Sequence, residues 1–296
     1  MSIITNYLGL IRFSHTLFAM PFALLAYAMA LHGNLSDGKA FRWLDIAGIL
    51  LCMVFARSTA MTCNRIADRK IDAENPRTAR RHLPAGGVSI TGAIAFLIFC
   101  GVGFIAATLL FLPDNHIPLL ASVPVLLFLC GYSYTKYWTS AAHFWLGASL
   151  MLAPLAAWIA VRPQLEAAPV LLGFAVLFWC TGFDLIYATQ DAEFDNKRKL
   201  FSIPGRYGIS AALRLSALCH VVAVILLAAL PFVFKPFGLL FGIGVAASAT
   251  ILIAEHLVAA PKRDSPDIDR INVAFFHLNV CISVGLLAVG VIDIIW

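Results

Sequence analysis

The chain has 296 residues, 61% of them hydrophobic and 12% charged, with a formal net charge of +5. A soluble domain carries about twice that charged fraction. Together with a mean hydropathy of +0.87, this excludes a water-soluble globular fold and points to an all-α protein that lives in a lipid bilayer.

Apolar stretches of about 20 residues, each long enough to cross a bilayer, recur along the whole chain. They predict nine spans: Leu8–Leu31, Leu44–Cys63, Val88–Phe111, Ile117–Tyr137, Ala141–Val161, Val170–Gln190, Ile209–Val233, Phe237–Val258 and Val273–Trp296. The expected architecture is a polytopic helical bundle forming one domain over residues 1–296. Ala28-Met29-Ala30 mimics a signal-peptide cleavage site, but a single basic residue, Arg12, precedes it and Pro21 interrupts the apolar run. The first span is therefore expected to stay in the mature protein. The seven cysteines form no C-x-x-C pair and fall almost entirely within spans, where cysteine acts as a small hydrophobe.

Basic residues sort by side. With the N-terminus cytoplasmic, that face receives 15 of them, among them Arg69, Lys70, Arg77, Arg80, Arg81, Lys136, Lys197, Arg198, Lys199, Arg206 and Arg214. The opposite face receives four: Lys39, Arg42, Arg162 and Lys235. This bias sets the orientation, and part of it serves topology or attraction to anionic lipid. Neither explains the acidic residues placed at regular spacing beside these cations.

The second span runs into Asn64-x-x-x-Asp68-x-x-x-Asp72, and the sixth into Asp184-x-x-Tyr187-x-x-x-Asp191-x-x-x-Asp195. On a regular α-helix each set falls within roughly 80° of one face, and Arg57 lies on the first stripe seven residues before Asn64. A shift of 123 residues lays Asn64, Asp68 and Asp72 over Tyr187, Asp191 and Asp195, a weak internal repeat of the kind membrane bundles use. Like charges four apart destabilise a helix, and carboxylates near a membrane mark functional sites. Oxygen ligands without His or Cys suit a hard ion that shares its ligands with phosphate, magnesium before zinc or iron. The bland alternative is a salt-bridge network with Arg65, Arg69 and Lys70. Arg77, Arg80, Arg81, Lys197, Arg198, Lys199, Arg206 and Lys136 suit phosphate oxygens. Metal ligands, cations and a greasy bundle describe a site for an amphiphile with a diphosphate head and a hydrocarbon tail.

The first ladder, followed by Asn75-Pro76-Arg77-Thr78 and Leu83-Pro84-Ala85-Gly86, resembles the first signature of the UbiA family of intramembrane prenyltransferases. The second ladder resembles that family's second signature. Tyr132-Ser133-Tyr134-Thr135-Lys136 is similar to its tyrosine–lysine stretch, and His15 through Ala23 to the first helix of its quinone-pathway branch. His82 departs from the common Arg-Pro-Leu-Pro run, which leaves Arg81 as the carry-over. The resemblance implies nine helices around a central cavity and magnesium-dependent transfer of a polyprenyl group from its diphosphate to an aromatic acceptor. 4-Hydroxybenzoate polyprenyltransferases and related enzymes acting on a dihydroxynaphthoate share the wording here.

On that footing Asp68, Asp72, Asp191 and Asp195 would hold Mg2+, with Asn64 and Tyr187 beside them. Arg77, Arg81, Lys136, Lys197 and Arg198 would bind the diphosphate. Tyr132, Tyr134 and Tyr187 would offer π faces to an allylic cation. Arg57 would meet the acceptor's carboxylate or phenolate, or else serve as a structural partner of Asp184. The expected partners are a polyprenyl diphosphate, a small aromatic acid and the lipid bilayer of the inner (plasma) membrane, with chemistry on the cytoplasmic side and no nucleic acid. His15, His143, Asn272, His277 and Asn279 are expected mainly to satisfy helix interfaces. A transporter with intramembrane carboxylates is the competing class, although its charges would lie near the midplane on broken helices.

Overall fold

The computed structural model describes residues 3–11, 16, 18–260, 271 and 274–296, and every regular element among them is helical. In chain order these are α1 (Ile3–Leu10), α2 (Met20–Ser36), α3 (Trp43–Glu74), α4 (Ile90–Thr108), α5 (Ile117–Thr135), α6 (Ala142–Val161), α7 (Ala167–Ala188), α8 (Ala192–Lys197), α9 (Ile203–Tyr207), α10 (Ile209–Val233), α11 (Leu239–Ala259) and α12 (Asn279–Ile295). Arg12, His15 and Asn272, weighed in the sequence, lie outside the described residues, as do Lys262, Arg263 and Arg270, which complete the 15 basic residues of the cytoplasmic face.

Among the described residues eight helices are long and apolar enough to cross a membrane. The predicted first span is the exception. Leu8–Leu31 is not one helix: α1 ends at Leu10 and α2 begins at Met20, with Pro21 in its first turn. Proline lacks an N–H, so it suits a helix start, where that donor has no acceptor, and disfavours helix in the residue before it. The run is long enough in sequence to read as one span, but its helix is interrupted.

The chain forms two compact units, Met1–Thr16 with Arg42–Tyr134, and Leu17–Phe41 with Thr135–Trp296. In the first, α3 packs along α4. α3 has 32 residues, a length of roughly 48 Å at 1.5 Å per residue. The hydrocarbon core is about 30 Å thick, so the polar end of α3, from Asn64 onward, extends past the apolar part. Ser58 and Thr59 return their hydroxyls to the carbonyls of Val54 and Phe55, at 2.7 and 2.8 Å, which removes two polar groups from the apolar stretch.

In the second unit α7 is the central helix. Of its spanning residues 61% are buried, against at most 33% in any other span, and it packs on both α6 and α10. Small residues permit these approaches. A Cβ at Gly147 of α6 would sit 2.4 Å from the Leu177 carbonyl oxygen of α7, and one at Gly182 would sit 2.2 Å from the His220 ring of α10. Away from α7, apolar side chains such as Leu218, Ile225, Phe232 and Leu257 are exposed, which is where hydrocarbon meets the surface.

The loops that the charge pattern assigns to the far side carry paired cations. Arg42 bonds the Asp114 carboxylate, and Arg162 donates to Asp37 at 2.8 Å and Glu166 at 3.3 Å. Two of the four far-side cations are thus balanced locally, which sharpens the positive bias of the other face. Asn279, expected as a helix-interface residue, is fully buried and donates to Glu255 Oε1 at 3.0 Å. All seven cysteines are free.

The α6–α7 approach sets a stability test. Gly147→Ala forces a methyl against a backbone oxygen that cannot retreat, so the folded state should lose about 1–3 kcal/mol, read as a lower thermal midpoint in detergent.

Candidate functional site

The first ladder lies on unbroken helix. Asp68 and Asp72 are buried at 4% and 5% exposure although they sit near the end of α3. Asn64 Nδ2 donates to Asp68 Oδ2 at 2.9 Å, and Asn64 Oδ1 accepts from Arg65 at 3.2 Å. Those two contacts fix which way the Asn64 amide faces. Arg69 and Lys70 are exposed, whereas Arg65 is buried beside the ladder.

Asp72 is gripped from beyond the helix. The Arg81 guanidinium donates through Nη1 to both carboxylate oxygens, at 2.7 and 2.9 Å. The loop curls back to allow this: Asn75 Oδ1 accepts from the Arg77 N–H at 3.0 Å, and Thr78 Oγ1 donates to the Asp72 carbonyl at 3.0 Å. Gly86, at φ 74°, closes the loop in a conformation that favours glycine. The departure at His82 also has a packing partner, since a Cβ at Gly9 of α1 would lie 2.5 Å from its ring. Arg81, expected to bind the diphosphate, is paired with Asp72 in this structure.

The second ladder is not a continuous α-helix, contrary to the sequence expectation. α7 ends at Ala188, a 3₁₀ turn covers Thr189–Asp191, and α8 resumes at Ala192. Thr189 Oγ1 bonds the Ile186 carbonyl at 2.7 Å at the break. A 3₁₀ turn winds at 120° per residue, so Asp191 and Asp195 are rotated by about 60° relative to Asp184 and Tyr187. Asp184 instead pairs with His143, whose Nδ1 lies 2.7 Å from Asp184 Oδ2.

Asp195 is positioned by the following loop. Ser202 caps α9 by accepting from the Gly205 N–H at 3.2 Å and hydrogen-bonds the Asp195 carboxyl, which also lies within electrostatic reach of Asp191, Lys136 and His143. Lys136 is fastened in place because its carbonyl accepts from the Phe201 N–H at 2.8 Å. Lys197, expected on the diphosphate, forms an exposed i,i+4 pair with Glu193 at 2.6 Å. Arg206 lies 4.2 Å over the Phe201 ring.

The expected aromatic wall is also redistributed. Tyr132 and Tyr134 are two positions apart on α5, about 160° apart around its axis, and Tyr134 is 52% exposed; the structure does not bring them to one face. Tyr187 meets the Phe275 ring at 4.3 Å, and Phe275 meets Phe183 at 5.4 Å. Phe183 in turn meets Trp179 at 4.9 Å. Arg57 is half-buried on α3, two turns before Asn64.

Magnesium suits the donor set, since both ladders offer oxygens alone: carboxylates with the Asn64 amide in the first and with the Tyr187 phenol in the second. Among the described residues no three His, Cys, Asp or Glu side chains gather closely enough to hold a bare ion.

The sequence model of the UbiA prenyltransferase family matches residues 18–280. The chain belongs to the UbiA prenyltransferase family. It is an integral membrane enzyme. Among its curated relatives, the 4-hydroxybenzoate octaprenyltransferase of Nitrosomonas europaea is 32% identical over 78% of this chain and 76% of that one. The Aromatoleum aromaticum enzyme of the same name is 30% identical over 76% and 74%. The apo structure of a UbiA homolog from Aeropyrum pernix K1 matches at TM-score 0.80 and 29% identity, covering 95% of this chain and 98% of that one. A UbiA homolog from Archaeoglobus fulgidus, solved bound to GPP and Mg2+, shares the fold at TM-score 0.67 and 20% identity, covering 98% and 100%.

Arg81→Ala should leave Asp72 a buried, unanswered charge and lower stability by about 3 kcal/mol. Adding Asp72→Asn to that variant should recover part of the loss, as read from thermal midpoints in detergent.

Proposed function

We propose that this UbiA-family chain, acting as one catalytic domain, transfers a polyprenyl group from a polyprenyl diphosphate to 4-hydroxybenzoate or a dihydroxynaphthoate. The reading places the chemistry on the cytoplasmic side of the inner membrane, where the charge pattern puts 15 basic residues against four. One observation carries it: each unit holds its own four-spaced carboxylate pair beside a cation, Asp68 and Asp72 with Arg81, and Asp191 and Asp195 with Lys136. The relatives' names, 4-hydroxybenzoate octaprenyltransferase, support the acceptor class.

In this mechanism Asp68 and Asp72, and Asp191 and Asp195, would hold Mg2+, with Asn64 keeping Asp68 oriented. Magnesium bound with the diphosphate supplies Lewis-acid stabilisation of the leaving group. Arg77, Lys136 and Arg198 draw the departing diphosphate by charge. The Tyr187 face, backed by Phe275, shields the allylic cation from water. Asp184 and Arg57 would orient the ring for attack at the carbon beside its hydroxyl. That ring carbon bonds the prenyl carbon as the C–O bond to diphosphate breaks, and then gives up its proton to restore aromaticity. A transporter would have no need of a carboxylate pair answered by a local cation at each of two helix ends.

Proteoliposomes supplied with a prenyl diphosphate and each aromatic acid in turn provide the test. Asp68→Ala should reduce diphosphate release by at least about 100-fold while the protein stays monodisperse. EDTA should stop wild-type turnover, and added Mg2+ should restore it. Undiminished release by the variant, or in EDTA, would overturn the reading.

A further inference from the structure

Asp184 reaches its position through a histidine that the chemistry above leaves without a task. His143 opens α6, is 5% exposed, and sets Nδ1 2.7 Å from Asp184 Oδ2. On its other edge the Ile203 backbone N–H points at Nε2 across a long 3.5 Å. An amide N–H only donates, so Nε2 carries no proton and Nδ1–H faces the carboxylate. The packing that delivers the ring is built in: α6 meets α7 at Gly147, beside Leu177 and Thr181, one turn from His143. Thr181 Oγ1 reaches back to the His143 carbonyl at 3.4 Å.

The far side of the ring leads to the second carboxylate pair. Ile203 is the first residue of α9, and Ser202, next to it, caps that helix and bonds Asp195. One buried imidazole therefore touches both the acceptor-side carboxylate and the loop that steadies a proposed metal ligand.

We propose that His143 is a positioning residue for prenyl transfer: its Nδ1–H aims Asp184 at the aromatic acceptor, and its Nε2 ties that carboxylate to the Ser202–Ile203 segment. The inference rests on the reading of Asp184 as acceptor-side. Its consequence is specific to one substrate. A misaimed Asp184 misplaces the ring that must attack, and displacements near 1 Å cost about 100-fold in rate, whereas the diphosphate site is reached from His143 only through the long 3.5 Å contact with the Ile203 N–H.

Steady-state kinetics of the full-length enzyme in proteoliposomes tests the proposal. His143→Leu should lower kcat/KM for the aromatic acid by about 10–100-fold, with KM for the prenyl diphosphate within about twofold of wild type. His143→Asn puts an amide N–H near the place of Nδ1–H and should recover most of that loss. Combining His143→Leu with Asp184→Asn should be no worse than Asp184→Asn alone. His143→Phe keeps the ring's bulk without the donor, and should show the same substrate split if the leucine variant does not fold. Wild-type acceptor kinetics in both donor-less variants, equal damage in the asparagine variant, or losses that multiply in the double variant would each overturn the proposal. Asp184→Asn with unchanged acceptor kinetics would instead remove the acceptor-side reading, and the role of His143 with it.

Discussion

A charge held where water is scarce must be answered by a partner, and the polar half of this protein is organised by that requirement. Asp72 is answered by Arg81, Asp68 by Asn64 with Arg65 behind it, and Asp184 by His143. The same rule acts far from the chemistry, where Asn279 meets the fully buried Glu255. The partners come from different distances along the chain: four residues for Asn64, nine for Arg81, forty-one for His143. The loop after α3 and the close approach of α6 to α7 are the two local devices that bring the distant ones home.

That difference in distance explains what the sequence discloses. Helical spans are written in runs of apolar residues, and the Asn64–Asp68–Asp72 row is written in spacing, so both were readable. The interruption before Pro21 was marked by the proline itself, yet the apolar run around it conceals a helix break. The 3₁₀ turn at Thr189–Asp191 left no such mark, because Thr, Gln and Asp are compatible with either winding. The pairing of His143 with Asp184 depends on which faces of α6 and α7 meet, a property of packing that no local pattern encodes. Ser202 could have been found, since a serine two residues before a proline and three before a glycine is a common helix start.

The stretch from α7 through the 3₁₀ turn into α8 joins the greasy and the charged parts of the protein. Trp179, Phe183, Tyr187, Asp191 and Asp195 follow at four-residue intervals, so aromatic rings give way to carboxylates along the chain direction. The tight turn comes between Tyr187 and Asp191, where the character changes. A continuous α-helix would have kept both halves near one stripe; the extra rotation turns the acids toward Ser202 and Lys136. Burial on both flanks holds the aromatic half rigid, while the half-exposed α8 carries the acids.

The length of α3 has a consequence for how two unlike molecules meet. Its last eleven residues, Asn64 to Glu74, add roughly 16 Å beyond a stretch that already spans the hydrocarbon. A long-chain lipid can keep its tail among its neighbours while its charged head rises to this ledge. A small, water-borne acid can arrive at the same height from the aqueous side. On the proposed reading neither reactant would have to leave its own solvent, and the protein would be spared the work of extracting one or swallowing the other.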